Sequence, residues 1–116
     1  MSLTIFHNPR CSKSRQTLAR IEDAAAEHDV VLYLETPPDA VTLKGMVDKL
    51  GLPVTDIIRF KEALAKELGI SAGDDRPEAE WIELLVAHPK LLERPIVVAG
   101  DRAVIGRPPE NVDALL

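Results

Sequence analysis

The sequence predicts a single α/β domain, residues 1–116, with a small mixed four-stranded sheet. Three observations support this fold class. The apolar patterns run strand–helix–strand, then a series of helices, then strand–strand–helix. A chain of 116 residues can bury a core without disulfides or metals. The apolar fraction of 46% and the charged fraction of 28% are ordinary for a globular protein.

The amino-terminal third predicts a βαβ unit. Residues 3–6 form a short apolar run that ends at residues 7–9, His-Asn-Pro, which signal a turn. A helix is predicted from about residues 11–12. Residues 30–34 are almost continuously apolar, which predicts a strand buried on both faces, as in a parallel sheet. The helix shows apolar positions at i, i+3 and i+7: Leu18, Ile21 and Ala25.

The middle of the chain predicts a helical insertion over about residues 40–88. Apolar residues recur with helical spacing over residues 43–50, which predicts a second helix, and Gly51 is suited to end it. A third helix is predicted from residue 53 to Gly69. A fourth begins near Pro77 and stops at Pro89.

The carboxy-terminal part predicts two strands and a helix. Residues 95–99 form a third strand, and residues 103–105 form a fourth. Gly100-Asp101 between them is typical of a tight hairpin turn. Residues 108–116 open with two prolines and form a short terminal helix. One βαβ half and one ββα half around a helical insertion make a thioredoxin-like arrangement the economical interpretation.

Composition argues against several classes of protein. The net charge of −5 does not fit a general nucleic-acid binder or a protein that binds anionic membranes. No apolar run approaches the ~18 residues of a membrane span. Residues 1–6 lack the basic and apolar regions of a secretory signal, so we expect a cytoplasmic protein. The single cysteine excludes an internal disulfide and any Cys-x-x-Cys pair.

The charge is unevenly distributed, and the only cysteine lies in the basic part. Residues 1–21 contain four basic side chains and no carboxylate. Cys11 stands where the first helix begins, and the partial positive charge of a helix N-terminus favours a thiolate. His7, Arg10 and neighbouring cations are expected to add positive charge. A reactive thiol is therefore favoured over the alternative of a small buried apolar residue.

The same loop is suited to bind an anion. Backbone N–H groups of residues 11–15 can surround a tetrahedral oxyanion, as helix N-termini do for phosphate. Ser12 or Ser14 can donate a hydrogen bond to the anion or to the sulfur of Cys11. Helix capping is the alternative for both serines. The chain shows no cluster of His, Cys and carboxylates with metal-ligand spacing, so we predict no metal.

The motif His7-Asn8-Pro9-Arg10-Cys11-Ser12-Lys13-Ser14-Arg15 resembles a known active-site loop. It matches His-Asn-Pro-x-Cys-x-x-Ser-Arg of the single-cysteine, glutaredoxin-dependent arsenate reductase family. The resemblance spans essentially the whole chain. Further matches follow in order: Tyr33-Leu34-Glu35-x-Pro-Pro, Arg59, Arg94-Pro95-Ile96-Val97-Val98 and Arg107-Pro108.

The resemblance implies a thioredoxin-like fold and a thiol reaction. In the family the loop cysteine attacks arsenate, glutathione displaces the adduct, and glutaredoxin supplies the reducing equivalents that release arsenite. Carried over, Cys11 is the nucleophile, His7 favours its thiolate, and Ser14 is a hydrogen-bond partner of the sulfur. The resemblance further implies that Pro95 follows a cis peptide bond that turns Arg94 toward Cys11. The implied oxyanion-binding arginines are Arg59, Arg94 and Arg107.

The arginine assignments have a physical basis and an alternative. A planar guanidinium holds two oxygens of an oxyanion and stays charged at any relevant pH. Taken singly, each arginine could instead form a surface ion pair: Arg94 beside Glu93, Arg107 near Glu110, and Arg59 near Glu62.

The resemblance also implies the reaction partners, and the sequence departs from well-studied family members in two respects. It implies no tightly bound cofactor, glutathione as a co-substrate and glutaredoxin as the redox partner. Arg10 and Lys13 make this loop more basic than in well-studied members, and the chain ends soon after Arg107. It looks most similar to a short arsenate-reductase-like subgroup.

The sequence is also compatible with other functions. The same fold could carry a thiol oxidoreductase for another oxyanion or for glutathionylated substrates. Thiol-stress regulators that share the fold typically use Cys-x-x-Cys, which is absent here. A non-catalytic binding module is a further alternative, and Cys11 would then titrate as an ordinary thiol.

Overall fold

The structure is a computed structural model that describes residues 2–116. Met1, the first residue of the segment considered for a secretory signal, lies outside the described residues. Two compact units are present: residues 2–37 with 94–116, and residues 38–93. The predicted helical insertion, residues 40–88, lies inside the second unit. That the whole chain forms one domain stays a prediction.

The first unit contains a four-stranded mixed sheet in the order β2-β1-β3-β4, which confirms the predicted fold class. β1 pairs in parallel with β2 and antiparallel with β3, and β3 pairs antiparallel with β4. Helix α1, Ser12–Asp23, connects the two parallel strands. The strands are β1 (Leu3–His7), β2 (His28–Leu32), β3 (Ile96–Ala99) and β4 (Arg102–Ile105).

The core of the first unit lies between the sheet, α1 and a terminal 3-10 helix, Pro109–Leu115. Gly100 has a φ of 61°, which the first central position of the two-residue hairpin between β3 and β4 requires. The predicted hairpin is therefore confirmed. The core side chains are Leu3, Ile5, Ile21, Val97, Ala99 and Val112.

The predicted second strand was wrong in its bounds and in its burial. β2 begins two residues earlier than expected and lies at the edge of the sheet, paired only with β1. Val30 on this strand is 43% exposed, so the strand is not buried on both faces. The apolar run continues past the strand because Tyr33, which is fully buried, lies in the turn that follows.

The second unit is helical, with α2 (Ala40–Leu50), α3 (Ala63–Leu68) and α4 (Glu78–Ala87). The side chain of Asp39 caps α2 by accepting a hydrogen bond from the Thr42 N–H at 2.8 Å. Trp81 on α4 is 2% exposed, and its ring lies edge-on to Phe60 with the centroids 5.5 Å apart.

The predicted third helix, residues 53–69, is not continuous. A 3-10 segment, Val54–Ile57, is followed by Ile58 in an extended conformation, and α3 begins only at residue 63. Ile58 pairs with Leu92 as an isolated bridge, and the Arg59 N–H donates to the carbonyl of Leu91 at 2.7 Å. These backbone bonds to a distant segment replace the helical bonds that local spacing predicted.

Candidate active site

One end of the sheet in the first unit gathers the segments that carry chemistry. β1 ends there and leads into Cys11, and the parallel strand β2 ends beside it. Because β3 runs antiparallel to β1, Arg94 precedes the start of β3 at the same end. β4 returns to this end and leads into Arg107. Three segments distant in sequence therefore converge near the cysteine.

The cysteine loop, residues 8–11, is a tight turn organised by Asn8. The carbonyl of Asn8 accepts from the Cys11 N–H at 3.0 Å, and its side-chain Oδ1 accepts from the Arg10 N–H at 2.9 Å. Asparagine followed by proline suits the first two positions of such a turn. Cys11 is the N-cap of α1, and its carbonyl accepts from the Arg15 N–H at 3.0 Å. The predicted location of Cys11 at a helix start is confirmed.

The environment of Cys11 stabilises the thiolate. Partial burial raises the pKa of the Cys11 thiol, but this effect is outweighed by four hydrogen-bond donors, and the pKa falls below its ordinary value. The guanidinium Nη1 of Arg107 lies 3.6 Å from Sγ. In order of their effect the donors are the backbone N–H of Ser14, the Arg94 side chain, the backbone N–H of Lys13 and the Arg107 side chain.

This lowered pKa predicts the pH dependence of alkylation. Iodoacetamide reacts with the thiolate, so the rate falls as pH drops through the pKa of Cys11. We expect the midpoint of the profile to lie below about 8.5, the value of a free cysteine. Arg94→Ala removes one donor and moves the midpoint upward, whereas Arg102→Ala, an exposed change at the opposite end of β4, leaves it in place. A wild-type midpoint at the free-cysteine value contradicts the assignment.

Two arginine–proline segments are held side by side next to the sulfur. Arg107 Nη1 donates to the carbonyl of Arg94 at 3.1 Å, and the Gly106 N–H donates to the carbonyl of Pro95 at 2.8 Å. The Arg94–Pro95 peptide bond is cis, as the resemblance implied, and Arg107–Pro108 is also cis, which we did not predict. The two hydrogen bonds join these segments, and both guanidinium groups reach Cys11.

His7 and Ser14 form a buried pair behind the loop. His7 Nδ1 lies 2.6 Å from Ser14 Oγ, and the Asn8 N–H donates to the same oxygen at 3.0 Å. Ser14 is fully buried. Its hydroxyl is thus engaged by His7 and Asn8, and it is the backbone N–H of Ser14 that reaches the sulfur. The predicted contact with Cys11 exists, but through a different group of Ser14.

The expectation that His7 adds positive charge was wrong. Burial lowers the pKa of His7 below its usual value, and the nearby charge of Arg15 lowers it further, while Glu22 acts in the opposite direction. His7 is therefore neutral near pH 7. His7 Nδ1 lies at hydrogen-bond distance from Ser14 Oγ, and the backbone N–H of Ser14 donates to the sulfur of Cys11.

Ser12 and Arg59 are placed differently from the residues above. Ser12 is the exposed first residue of α1, and no side chain caps this helix. Arg59 lies in the second unit, where it donates to Glu62 at 3.1 Å and to Glu93 at 3.2 Å. A surface ion pair was the alternative that we considered for Arg59, but Glu93 was expected beside Arg94 rather than as a partner of Arg59. The predicted oxyanion-binding roles of Ser12 and Arg59 stay predictions.

Two residues that shape the site, Thr17 and Gly106, were not predicted, and a third, Asn8, was predicted only as part of a turn and of the loop motif. Asn8 organises the loop, and the Asn-Pro dipeptide was an available signal. Thr17 is fully buried, and its hydroxyl lies 2.8 Å from the Lys13 carbonyl and 3.3 Å from the Gly106 carbonyl. A Cβ on Gly106 would lie 2.5 Å from Thr17 Oγ1 and 2.7 Å from Pro95 Cγ. Nothing local in the sequence identified Thr17 or Gly106.

Residues 2–116 contain neither a cluster of metal-ligating side chains nor a membrane-spanning helix. In this part of the chain no group of three or more His, Cys, Asp and Glu side chains is arranged to hold a metal ion. No helix among these residues is long and apolar enough to cross a bilayer.

The fold and the site together define a thioredoxin-like protein with an activated cysteine facing two arginines. The ArsC family model matches residues 6–115. An arsenate reductase from Neisseria meningitidis is 48% identical over 118 residues, which cover 98% of this chain and 97% of that protein. The chain belongs to the ArsC family, as the loop motif indicated.

Further relatives agree with this assignment. The uncharacterized protein YfgD of Escherichia coli K12 is 51% identical over 109 residues, which cover 93% of this chain and 91% of that protein. The solved structure of an arsenate reductase from Vibrio cholerae has a TM-score of 0.93 and 46% identity, and covers 100% of this chain and 98% of its own. These likenesses support an oxidoreductase of the same fold.

Proposed function

We propose that this protein is an arsenate reductase-like thiol oxidoreductase that works with glutathione and glutaredoxin. The observation that carries the proposal is the Cys11 sulfur at a helix N-terminus, hydrogen-bonded by Arg94 and Arg107. Relatives over the full chain that bear the name arsenate reductase support the choice of substrate.

The first step is binding of the oxyanion beside the sulfur. The guanidinium groups of Arg94 and Arg107 donate to arsenate oxygens and neutralise its charge, and Ser12 adds a donor. Backbone N–H groups at the start of α1 complete the site. Because these donors are fixed before the substrate arrives, little reorganisation is needed as charge develops on the transferred group.

The second step is attack of the Cys11 thiolate on arsenic. A sulfur–arsenic bond forms as one arsenic–oxygen bond breaks, and the departing oxygen takes up protons and leaves as water. Arsenic remains pentavalent in this adduct. His7 and Ser14 act here by holding the backbone N–H of Ser14 toward the sulfur.

Reduction then requires two external thiols, because Cys11 is the only cysteine of the chain. Glutathione displaces Cys11 from arsenic, and the Cys11 thiolate is regenerated. The glutaredoxin thiolate attacks the glutathione sulfur and forms a mixed disulfide. The electron pair of the broken sulfur–arsenic bond stays on arsenic, which leaves as trivalent arsenite. The two thiols thus supply the two electrons, and the reaction uses no tightly bound cofactor.

We place this reaction in the cytoplasm, where glutathione keeps thiols reduced. The proposed partners are arsenate, glutathione and glutaredoxin, with no nucleic acid and no membrane. The test is NADPH oxidation coupled through glutathione reductase and glutaredoxin, with and without arsenate. Arsenate-dependent oxidation supports the proposal, and its absence with the folded wild-type protein contradicts it.

Arg107→Ala is expected to reduce kcat/KM for arsenate about ten- to a hundred-fold, the value of one charge-assisted hydrogen bond. Most of the loss appears in KM because Arg107 binds the oxyanion. Arg102→Ala, an exposed change on β4, serves as the matched control and leaves both constants unchanged. Loss of the folded state in Arg107→Ala alone would instead indicate a structural role for this arginine.

A further inference from the structure

A cavity lies beside the cysteine loop, on the side of β2. Its volume is about 330 Å³, within the range of small-molecule sites. Because β1 and β2 are parallel, the cavity opens at the end of the sheet where Cys11 lies. The arginine pair occupies the other flank, next to β3 and β4. The cavity is lined by His7, Asn8, Pro9, Arg10, Leu32, Leu34 and Glu35.

Two opposite charges line this cavity without neutralising each other. The side chains of Arg10 and Glu35 form no hydrogen bond or ion pair within residues 2–116, with each other or with any other group. Arg20, by contrast, is paired with Asp113 at 2.6 Å. A ligand that carries both an ammonium and a carboxylate would satisfy both side chains.

Beside His7 and Asn8, which are buried, the cavity is lined by three apolar residues, Pro9, Leu32 and Leu34. Leu34 is 48% exposed, although it continues the apolar run of β2. Pro9 is exposed and Leu32 is half-buried. A ligand with an aliphatic stem between its charged head and its reactive end would cover this surface.

We propose that this cavity binds the α-amino-acid head of the thiol that displaces Cys11 from arsenic, an inference that rests on the proposed function. Glu35 accepts from the ammonium group, Arg10 donates to the carboxylate, and Leu34 packs against the aliphatic stem. Arg10 is adjacent to Cys11 in the chain, so a thiol held here stands next to the loop sulfur. The γ-glutamyl head of glutathione has this chemistry.

Binding can be tested without any turnover by titrating S-methylglutathione, which has no free thiol, into the full chain and following backbone amide shifts by NMR. We expect shifts at residues 8, 10 and 32–35. Glu35→Gln is expected to raise the Kd about three- to five-fold, the value of an exposed ion pair. The matched control, Asp29→Asn, removes the same charge at the opposite end of β2 and leaves the Kd unchanged.

A second ligand isolates the ammonium contact. N-acetyl-S-methylglutathione keeps both carboxylates but has no ammonium, so we expect Glu35→Gln to leave its Kd unchanged. Arg10→Gln is expected to weaken both ligands by a similar factor. An equal response of both ligands to Glu35→Gln, or amide shifts confined to other parts of the chain, would overturn the proposal.

The outcomes separate this proposal from the proposed function. If the wild-type protein reduces arsenate with glutathione but the Kd of S-methylglutathione is the same in Glu35→Gln, the cavity assignment is wrong and the function stands. If the Kd depends on Glu35 and no arsenate-dependent oxidation occurs, the binding site is supported and the substrate assignment fails. Absence of any amide shift at millimolar S-methylglutathione also overturns the cavity assignment.

Discussion

Cys11→Ser is expected to lower arsenate-dependent NADPH oxidation by at least about 1,000-fold, the scale of losing a covalent nucleophile. A serine hydroxyl stays protonated where the Cys11 thiol, held by Arg94, Arg107 and two backbone N–H groups, ionises. The same donors remain in the variant. Arsenate binding, measured by calorimetry, is therefore expected to be retained while turnover is lost.

This combination of results distinguishes a nucleophile from a residue that only supports the fold. Cys11 is half-buried and its side chain does not cap α1, so serine is accommodated without repacking. The thermal midpoint of Cys11→Ser should match that of the wild type. Turnover within about ten-fold of the wild-type rate would show that another group performs the attack.

The parts of the fold that the sequence predicted depend on local physical chemistry. The start of α1 at residues 11–12 follows from a turn that ends a strand, and the hairpin follows from a glycine at a position that needs a positive φ. The location of Cys11 at a helix N-terminus required only these local signals. The position of Cys11 at the start of α1 was therefore predictable without knowledge of the tertiary contacts, whereas the approach of Arg94 and Arg107 to its sulfur was not predictable from local signals.

The predictions about the fold that were wrong concern features that depend on contacts between distant segments. The break in the third helix arises because Ile58 pairs with Leu92, and nothing near residue 58 indicates that partner. β2 was predicted to be buried on both faces because an apolar run does not distinguish such a strand from an edge strand that is followed by buried residues.

The predictions of the charge on His7 and of the hydrogen bond made by the Ser14 hydroxyl were wrong for a related reason. Burial decides the pKa of His7, and burial arises from packing that the loop motif does not contain. The motif placed Ser14 near Cys11 correctly, but its hydroxyl faces His7. A motif thus specifies which residues meet more reliably than which atoms form the bonds.

The convergence of Arg94 and Arg107 on Cys11 depends on a close approach at Gly106, and this predicts a large effect of a small substitution. A Cβ at residue 106 would lie 2.5 Å from Thr17 Oγ1 and 2.7 Å from Pro95 Cγ, both on buried residues. Gly106→Ala is therefore expected to destabilise the fold by about 1–3 kcal/mol, the cost of overpacking a filled interior. Denaturant unfolding measures this difference.

Gly45→Ala is the matched control, because a Cβ at this position in α2 meets no atom within 4 Å. Alanine inside a helix should stabilise the chain by about 0.5–1 kcal/mol, so the two Gly→Ala changes have opposite effects on stability.

Relief of the clash at residue 106 separates the Pro95 and Arg107 segments, which withdraws donors from Cys11 and raises its pKa. Gly106→Ala should thus shift the alkylation midpoint upward as well as lower stability. A destabilised variant whose midpoint is unchanged would show that the arginines are held at the sulfur independently of this contact.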